Sequence, residues 1–276
     1  MSVGTALGLG LALISTTLIQ LAYLREHDAA AALPALSLRR PLHSLRLLLS
    51  DRTWLKGFAL ETGGFLFYVV ALALASLALV QSVAAGGIGL LAYVSARLSG
   101  RRLGHRELIG AGVSVLGLLA LAVSVSGGHN PDRAGSTVAI VAWLGATALA
   151  AGAVLAARKR IGVAVANGIA GGLLFSIGDV ATKVTTQGGV RFVFVVPLIA
   201  GYTLGTALLQ VGYQRGGALT VAGLATLLTN ALPIAAGTVV LGEDVPTGAL
   251  GVLRVLAFAA VTVGAILLAR PERVRA

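Results

Sequence analysis

The chain has 276 residues, of which 57% are hydrophobic and 11% are charged. A soluble domain carries about 25% charged residues, so this composition excludes an ordinary soluble fold. The net charge of +11 does not indicate a nucleic-acid partner, because the basic residues lie in connections between apolar runs.

Nine apolar runs have about the length that spans a hydrocarbon core of ~30 Å. They predict an all-α integral membrane protein with nine transmembrane helices. No basic segment precedes the first run, so it reads as a membrane helix rather than a cleaved signal. The predicted spans are Val3–Leu24, Gly57–Ala75, Leu77–Ala96, Glu107–Ser126, Ser136–Ala157, Val163–Thr182, Phe192–Tyr213, Ala218–Leu241 and Gly248–Ala269.

The first connection, residues 25–56, is long and basic, with two prolines and several leucines set among arginines. One interpretation is an amphipathic helix that lies on anionic lipid at the membrane surface. The other is a solvated cytoplasmic linker with some helical content. The sequence leaves both open.

The distribution of basic residues predicts the orientation. Seventeen of the 21 lysines and arginines fall on one side of the predicted membrane, and only Arg133, Lys183 and Arg191 fall on the other. Cytoplasmic connections carry the excess of positive charge. The N-terminus is therefore predicted outside and the C-terminus in the cytoplasm, in a multi-pass protein of the inner or plasma membrane.

Two connections suggest an internal duplication. Residues Leu98–Gly110 and Leu241–Gly251 each combine a leucine, a glycine turn, a polar stretch and a second glycine. The predicted topology puts the first in the cytoplasm and the second outside, which is typical of an inverted repeat. We therefore expect one membrane domain, 1–276, in a 4 + 1 + 4 arrangement. Its parts are a first half-repeat 3–126, a linking helix 136–157 and a second half-repeat 163–269.

These segments resemble a known family. Ala78–Gly117 and Gly217–Ala269, with the Gly242-Glu243 turn, resemble the EamA-like part of the drug/metabolite transporter superfamily. The order of first helix, basic connection, Trp54-x-x-Gly57 and Leu79-Val80 is similar to the NIPA-type magnesium transporter branch. The resemblance implies a basket of helices with alternating access to a central cavity.

Ionisable groups inside the apolar runs are candidate cargo-binding residues, because a charge within a membrane is retained mainly for function. Glu61 could bind a cation or a proton. Alternatively, the Glu61 carboxylate reaches the headgroup region of the membrane or forms an ion pair with Lys56. Arg254 either lines a cavity or extends to the membrane surface.

Uncharged polar residues supply further candidates. Tyr68, Gln81 and Asn230 lie within spans and could contact cargo, although hydrogen bonding between helices also explains them. Asn230 is the strongest of the three, because Pro233 follows it and proline bends a helix and frees a carbonyl.

Asp179 and Lys183 lie four residues apart at the outer end of a span. They form either a helical ion pair, worth about 0.3–0.5 kcal/mol, or an outer gate that opens when cargo competes for the carboxylate. Gly168/Gly172 and Gly201/Gly205 have the small-xxx-small spacing that allows close helix approach.

The sequence does not predict an enzyme. The four histidines lack metal-ligand spacing, and neither a Walker A motif nor a serine nucleophile elbow is present. We therefore expect no catalytic residues, metal centre or cofactor. The leading function is secondary transport of a small metabolite or cation. One alternative is a magnesium or other divalent-cation transporter, and another is a non-transporting membrane scaffold or partner subunit. The expected partners are the lipid bilayer and the cargo, and the sequence leaves a homodimer open.

Overall fold

A computed structural model of the chain describes residues 3–37, 40–74, 80, 83–84, 91, 94, 104–125, 135–185, 188–240 and 247–269. The regular structure of these residues is helical throughout. The helices are α1 (Val3–Ala32), α2 (Pro41–Ser50), α3 (Arg52–Leu74), α4 (His105–Val125), α5 (Thr137–Ala156), α6 (Arg158–Ile161), α7 (Val163–Thr185), a 3-10 turn (Gly189–Phe194), α8 (Val195–Tyr213), α9 (Ala218–Val239) and α10 (Ala249–Ala269).

The described helices are those of an integral membrane protein. Five stretches are long and apolar enough to cross a membrane, and Ala249–Gly264 forms a shorter apolar helix. Large apolar side chains such as Leu116, Val138 and Leu149 are exposed on the outside, as a lipid-facing surface requires. The five stretches are Ala6–Ala32, Thr137–Ala156, Val163–Thr185, Gly189–Tyr213 and Ala218–Gly237. The predicted span Leu77–Ala96 and the Gly242-Glu243 turn fall largely or wholly outside the described residues.

α1 is longer than the sequence predicted. It continues eight residues past Leu24 to Ala32 and stops shortly before Pro34. The residues after Leu24 include a run of alanines, the best helix former, and the residue before a proline is disfavoured in a helix. Glu26 therefore belongs to a helix of about 45 Å rather than to a polar connection.

The connection between α1 and α3 contains a helix. α2 begins at Pro41, a favoured first helical residue. Its Leu48 is buried in the core with Trp54, while Leu42 and Leu45 remain exposed. The helical interpretation of this connection agrees with the structure, and its contact with lipid stays a prediction. The backbone N–H of Trp54 donates to Asp51 Oδ1 at 2.7 Å, so α3 starts at Arg52, five residues before its predicted start.

Glycines bring the membrane helices into backbone contact. α1 packs along α3, α4 along α10, and α7 against α5, α8 and α9. A Cβ on Gly172 would lie 2.8 Å from Ala225 Cα of α9, and one on Gly201 would lie 2.6 Å from Leu174 O of α7. The small-xxx-small spacing therefore predicted these close approaches correctly.

The substitution Gly201→Ala is expected to lower stability, because the new methyl group meets backbone atoms of α7 that have little freedom to move. Overpacking of this kind costs about 1–3 kcal/mol. Gly152→Ala on α5 is the matched control, since a Cβ there has nothing within 4 Å. Thermal unfolding of the detergent-purified proteins should show a lower midpoint for Gly201→Ala alone. Equal midpoints for the two variants would contradict this packing.

The contacts sort the helix termini into two ends of the molecule. At one end, which we call the inner end, Gln214 after α8 bonds to Ala30 O of α1, and Gly216 lies against Ala164 at the start of α7. At the opposite, outer end, Arg191 Nη2 donates to Gly135 O at 2.8 Å, just before α5. The labels follow the predicted orientation, which itself stays a prediction.

Candidate functional site

A cavity of about 640 Å³ lies among α1, α3, α7, α8 and α9, with α2 along one side. This volume is within the range of small-molecule sites, which combine mostly apolar walls with a few placed polar groups. The polar lining residues from α1, α3, α7, α8 and α9 are Ser15, Thr16, Gln20, Tyr23, Glu61, Thr62, Tyr68, Asp179, Tyr202, Thr203, Thr206, Gln210, Thr226, Thr229 and Asn230.

Two glutamates form what we call the inner acid pair, Glu26 of α1 and Glu61 of α3. Glu61 lines the cavity, while Glu26 lies behind it and is 1% exposed. Gln210 Nε2 of α8 donates to Glu26 Oε2 at 2.5 Å. Gly57 makes room for Glu26, since a Cβ there would lie 2.8 Å from Glu26 Cγ.

A second acidic group, the outer cluster, consists of Asp179 of α7, Tyr202 of α8 and Thr229 of α9. The Tyr202 hydroxyl donates to Asp179 Oδ1 at 2.6 Å, and the Thr229 hydroxyl donates to Oδ2. The Tyr202 ring also meets Phe65 of α3 edge to face, with the ring centroids 5.4 Å apart. The cluster therefore links α7, α8 and α9 by hydrogen bonds, and its tyrosine packs against α3.

The two acidic groups lie at different depths. Tyr202 and Gln210 are eight residues apart on α8, which corresponds to about 12 Å along the helix axis. Both residues line the same cavity. A cargo that crosses the membrane through this cavity therefore meets carboxyl groups at two levels.

Four of the predicted site residues lie together in the cavity wall. These are Glu61, Tyr68, Asp179 and Asn230. Glu61 lines the cavity and forms no ion pair with Lys56 among the described residues. Asn230 donates to Thr226 O of its own helix at 2.7 Å and is nearly fully buried.

The remaining predicted residues lie elsewhere. Arg254 is buried between α10 and α4, where its Nε donates to Ser124 Oγ at 3.4 Å. Lys183 is one turn beyond Asp179 toward the outer end and does not line the cavity. Gln81 lies outside the described residues.

Glu26, Gln210 and Thr229 were not predicted from the sequence as site residues. Glu26 was assigned to a connection because charged residues follow the apolar run there. The alanine run from Ala29 to Ala32 is the signal that could have extended the helix over it. No local pattern marks the contact of Glu26 with Gln210, because the two residues are 184 positions apart.

The cavity offers few ligands for a dehydrated metal ion. In the part of the chain that the structure describes, no three His, Cys, Asp or Glu side chains come together in one place. Magnesium usually keeps several of its waters and is bound through one or two carboxylates. The inner acid pair has the composition for that mode of binding.

At the inner end of the cavity wall, the side chain of Gln214, directly after α8, bonds to backbone groups at the end of α1 and in the residues that follow it. Its Nε2 donates to Ala30 O at 2.8 Å and to Leu33 O and Pro34 O at 3.1 Å each. Its Oε1 accepts from Leu36 N at 2.8 Å. We call this arrangement the Gln214 clamp. It satisfies backbone groups that the C-terminus of a helix leaves open.

Comparison with known proteins adds one relationship. No family model matches the chain, and no solved structure matches it. The chain is 25% identical over 265 residues to the probable magnesium transporter NIPA9 of Arabidopsis thaliana, an alignment that covers 87% of this chain and 75% of that protein. Together with the apolar helices, this similarity identifies a multi-pass protein of the cell membrane with a relationship to the NIPA-type transporters.

Proposed function

We propose that the chain is a secondary transporter that carries a cation through the central cavity by alternating access, with magnesium as the leading cargo. The observation that carries the proposal is the inner acid pair, a pair of membrane-embedded carboxyl groups of which one faces the cavity. Ionisable groups within a membrane are costly and mark ion or substrate pathways.

The chemistry of the cavity wall suits a cation that keeps part of its water. Glu61 and Asp179 supply carboxylate oxygens, and the hydroxyls of Thr206 and Thr226 provide further polar surface. A volume of about 640 Å³ far exceeds the ~10–15 Å³ that one water needs. The similarity to NIPA9, a probable magnesium transporter, supports magnesium as the cargo.

The helix pairing supports the inverted repeat on which alternating access depends. α1 packs along α3, and α7 packs along α8, so the first two described membrane helices of each predicted half pair in the same way. α4 and α10, the last helices of the two halves, pack against each other. Such counterpart pairs are what two related halves around a pseudo-two-fold axis produce.

The cavity also weighs against the scaffold alternative. A non-transporting scaffold has no need of an interior space, and a Gly/Ala/Leu-packed centre would serve it better. Here the space is walled by two carboxyl groups and several hydroxyls. An enzyme finds no support either, since the similarity is to a transporter.

A small organic metabolite is the second candidate cargo. The aromatic residues Trp54, Phe58, Phe65 and Phe175 line the cavity, which is larger than a bare metal ion needs. Aromatic and apolar walls are typical of sites for organic ligands. Such a cargo would carry a positive charge to match Glu61.

The proposal is tested with the purified chain in liposomes that contain a magnesium indicator. We expect a magnesium gradient to drive uptake that exceeds uptake into empty liposomes and is reduced by a competing divalent cation. Failure of magnesium, calcium and potassium to move, with uptake of an organic cation instead, would favour the second candidate. Liposomes that move none of these would contradict the transporter proposal.

A further inference from the structure

We propose that the outer cluster acts as a latch that holds the outer end of the cavity closed and opens once in each transport cycle. This inference rests on the proposed function and adds to it the contacts that separate the cavity from the outer side. The latch consists of two hydroxyl groups, those of Tyr202 on α8 and Thr229 on α9, which donate to the two carboxyl oxygens of Asp179 on α7.

The cavity extends from the outer cluster toward the inner end, where its wall includes residues of α2. Among the described residues, the last to line it toward the outer end are Tyr68 on α3, Asp179 on α7 and Asn230 on α9. These three helices continue outward for another six to nine residues. On α8 the wall ends at Leu198, one turn beyond Tyr202. The described wall therefore stops close to the outer cluster.

Apolar side chains pack together between the outer cluster and the outer end. Ile140 of α5, Val184 of α7, Phe194 of the 3-10 turn and Ala236 of α9 are buried in one apolar cluster. A hydrated cation has no polar partner in such a layer, and close-packed side chains leave it no room. A cation that leaves the cavity between α7, α8 and α9 therefore requires these helices to separate.

Tyr202 joins the latch to α3 as well. Its ring meets Phe65 of α3 edge to face, with the centroids 5.4 Å apart, and lies 6.0 Å from the Phe175 ring of α7. A Cβ on Gly178 would lie 2.9 Å from two carbons of the same ring, so the ring rests directly on the backbone of α7. A movement of α8 away from α3 and α7 must therefore displace Tyr202 and break its bond to Asp179.

The contacts of the latch are strong but need no backbone rearrangement to break. Hydrogen bonds from hydroxyl groups to an ionised carboxylate are about twice as strong as those between neutral groups. Rotation of the Tyr202 and Thr229 side chains releases both oxygens of Asp179. Water in the opened cavity, or the water shell of the cation, then supplies O–H donors to the same oxygens.

Two substitutions weaken the latch without changing side-chain shape. Tyr202→Phe and Thr229→Val each remove one hydroxyl donor to Asp179. Thr17→Val is the matched control, because Thr17 Oγ1 donates to Leu13 O of its own helix and Thr17 does not line the cavity.

The test measures how fast a cysteine in the cavity reacts from each side of the membrane. Thr206→Cys supplies the reporter, since the chain has no other cysteine, and a membrane-impermeant maleimide is added without magnesium to membrane vesicles of each orientation. Val190→Cys, 92% exposed in the 3-10 turn, identifies the vesicles that present the outer end. Tyr202→Phe and Thr229→Val are each expected to raise the labelling rate from the outer side about 10-fold, as expected for the loss of one hydrogen bond to a charged group.

Labelling from the inner side is expected to be no faster in either latch variant, and Thr17→Val should match the unmodified reporter protein on both sides. An unchanged outer rate in both latch variants overturns the latch. Faster labelling from both sides also overturns it, because a general loosening of the protein produces that result.

Gly178→Ala keeps the inference testable if the other variants do not fold. It retains both hydroxyl groups and displaces the Tyr202 ring, so it should also raise the outer rate, and an unchanged rate contradicts the latch. Magnesium flux in wild-type liposomes together with unchanged labelling in the variants overturns the latch alone. Faster outer labelling in the variants, with no cation moved by the wild type, supports the latch and overturns the transporter proposal instead.

Discussion

Glu61→Gln is expected to reduce cation transport by about 10- to 100-fold with little change in stability. Glu61 is the member of the inner acid pair that reaches the cavity, so it supplies the charge that meets the cargo. Loss of a contact to a charged group costs about 1.5–3 kcal/mol, and each 1.4 kcal/mol is tenfold in affinity. Initial uptake rates into liposomes, at magnesium concentrations below and above saturation, give the measurement.

The glutamine at position 61 keeps the shape of the side chain. A comparable thermal unfolding midpoint for wild type and variant would show that the loss is one of function. Glu107→Gln, with the same chemical change outside the cavity, should transport at the wild-type rate. Full transport by Glu61→Gln at every magnesium concentration would show that the cargo does not bind at the inner acid pair.

The substitution Gln214→Leu is expected to have the largest effect on stability. It removes all four hydrogen bonds of the Gln214 clamp and leaves Ala30, Leu33, Pro34 and Leu36 without that partner. A net contribution of about 0.5–1.5 kcal/mol per bond gives an expected loss of about 2–4 kcal/mol, less than the full sum because water reaches part of this end. The end of α1 should separate from α8.

Thermal unfolding and limited proteolysis measure that separation. The variant should unfold at lower temperature and be cleaved faster between α1 and α2 than wild type. Ser50→Ala is the control, because Ser50 Oγ donates only to Arg46 O of its own helix on the exposed side of α2. A Gln214→Leu protein as stable and as resistant to protease as Ser50→Ala would show that the clamp contributes nothing.

The sequence predicted most of the described helices because their ends carry local signals. The predicted span Ser136–Ala157 differs from α5 by one residue at each end, since a serine precedes the apolar run and a basic triplet follows it. Ending a helix where the apolar run meets polar residues misplaced the end of α1. There the polar residues after Leu24 end the hydrophobic signal, but helix propensity continues to Ala32.

The candidate site was predictable only in part. A lone carboxylate within an apolar run marked Glu61, and a proline-associated polar residue marked Asn230, and both line the cavity. The partners of these residues were not predictable, because they come from distant parts of the chain. Glu26 meets Gln210 and Gln214 meets α1 across more than half of the sequence. Contacts between residues so far apart in the chain produce no periodic pattern in a single sequence.

Asp179 shows what local spacing leaves out. Four residues apart on a helix, Asp179 and Lys183 satisfy the rule for an ion pair. In the structure the two oxygens of Asp179 accept from Tyr202 and Thr229 on neighbouring helices. Those hydroxyls compete for the carboxylate, and the spacing rule takes no account of them. A gating role for Asp179 stays a prediction.

A cation that passes through the cavity beside Glu61 needs a water-accessible wall there, and a single introduced cysteine can report that access. The chain has no cysteine, so Thr206→Cys in the cavity wall of α8 gives a unique label site, and Leu149→Cys on the lipid-facing side of α5 gives a control. We predict that a membrane-impermeant maleimide labels Cys at 206 from either side of the membrane in turn, that magnesium slows this labelling, and that the control stays unlabelled. Labelling at position 206 that is absent from both sides, or that magnesium does not change, would show that no cation passes beside Glu61.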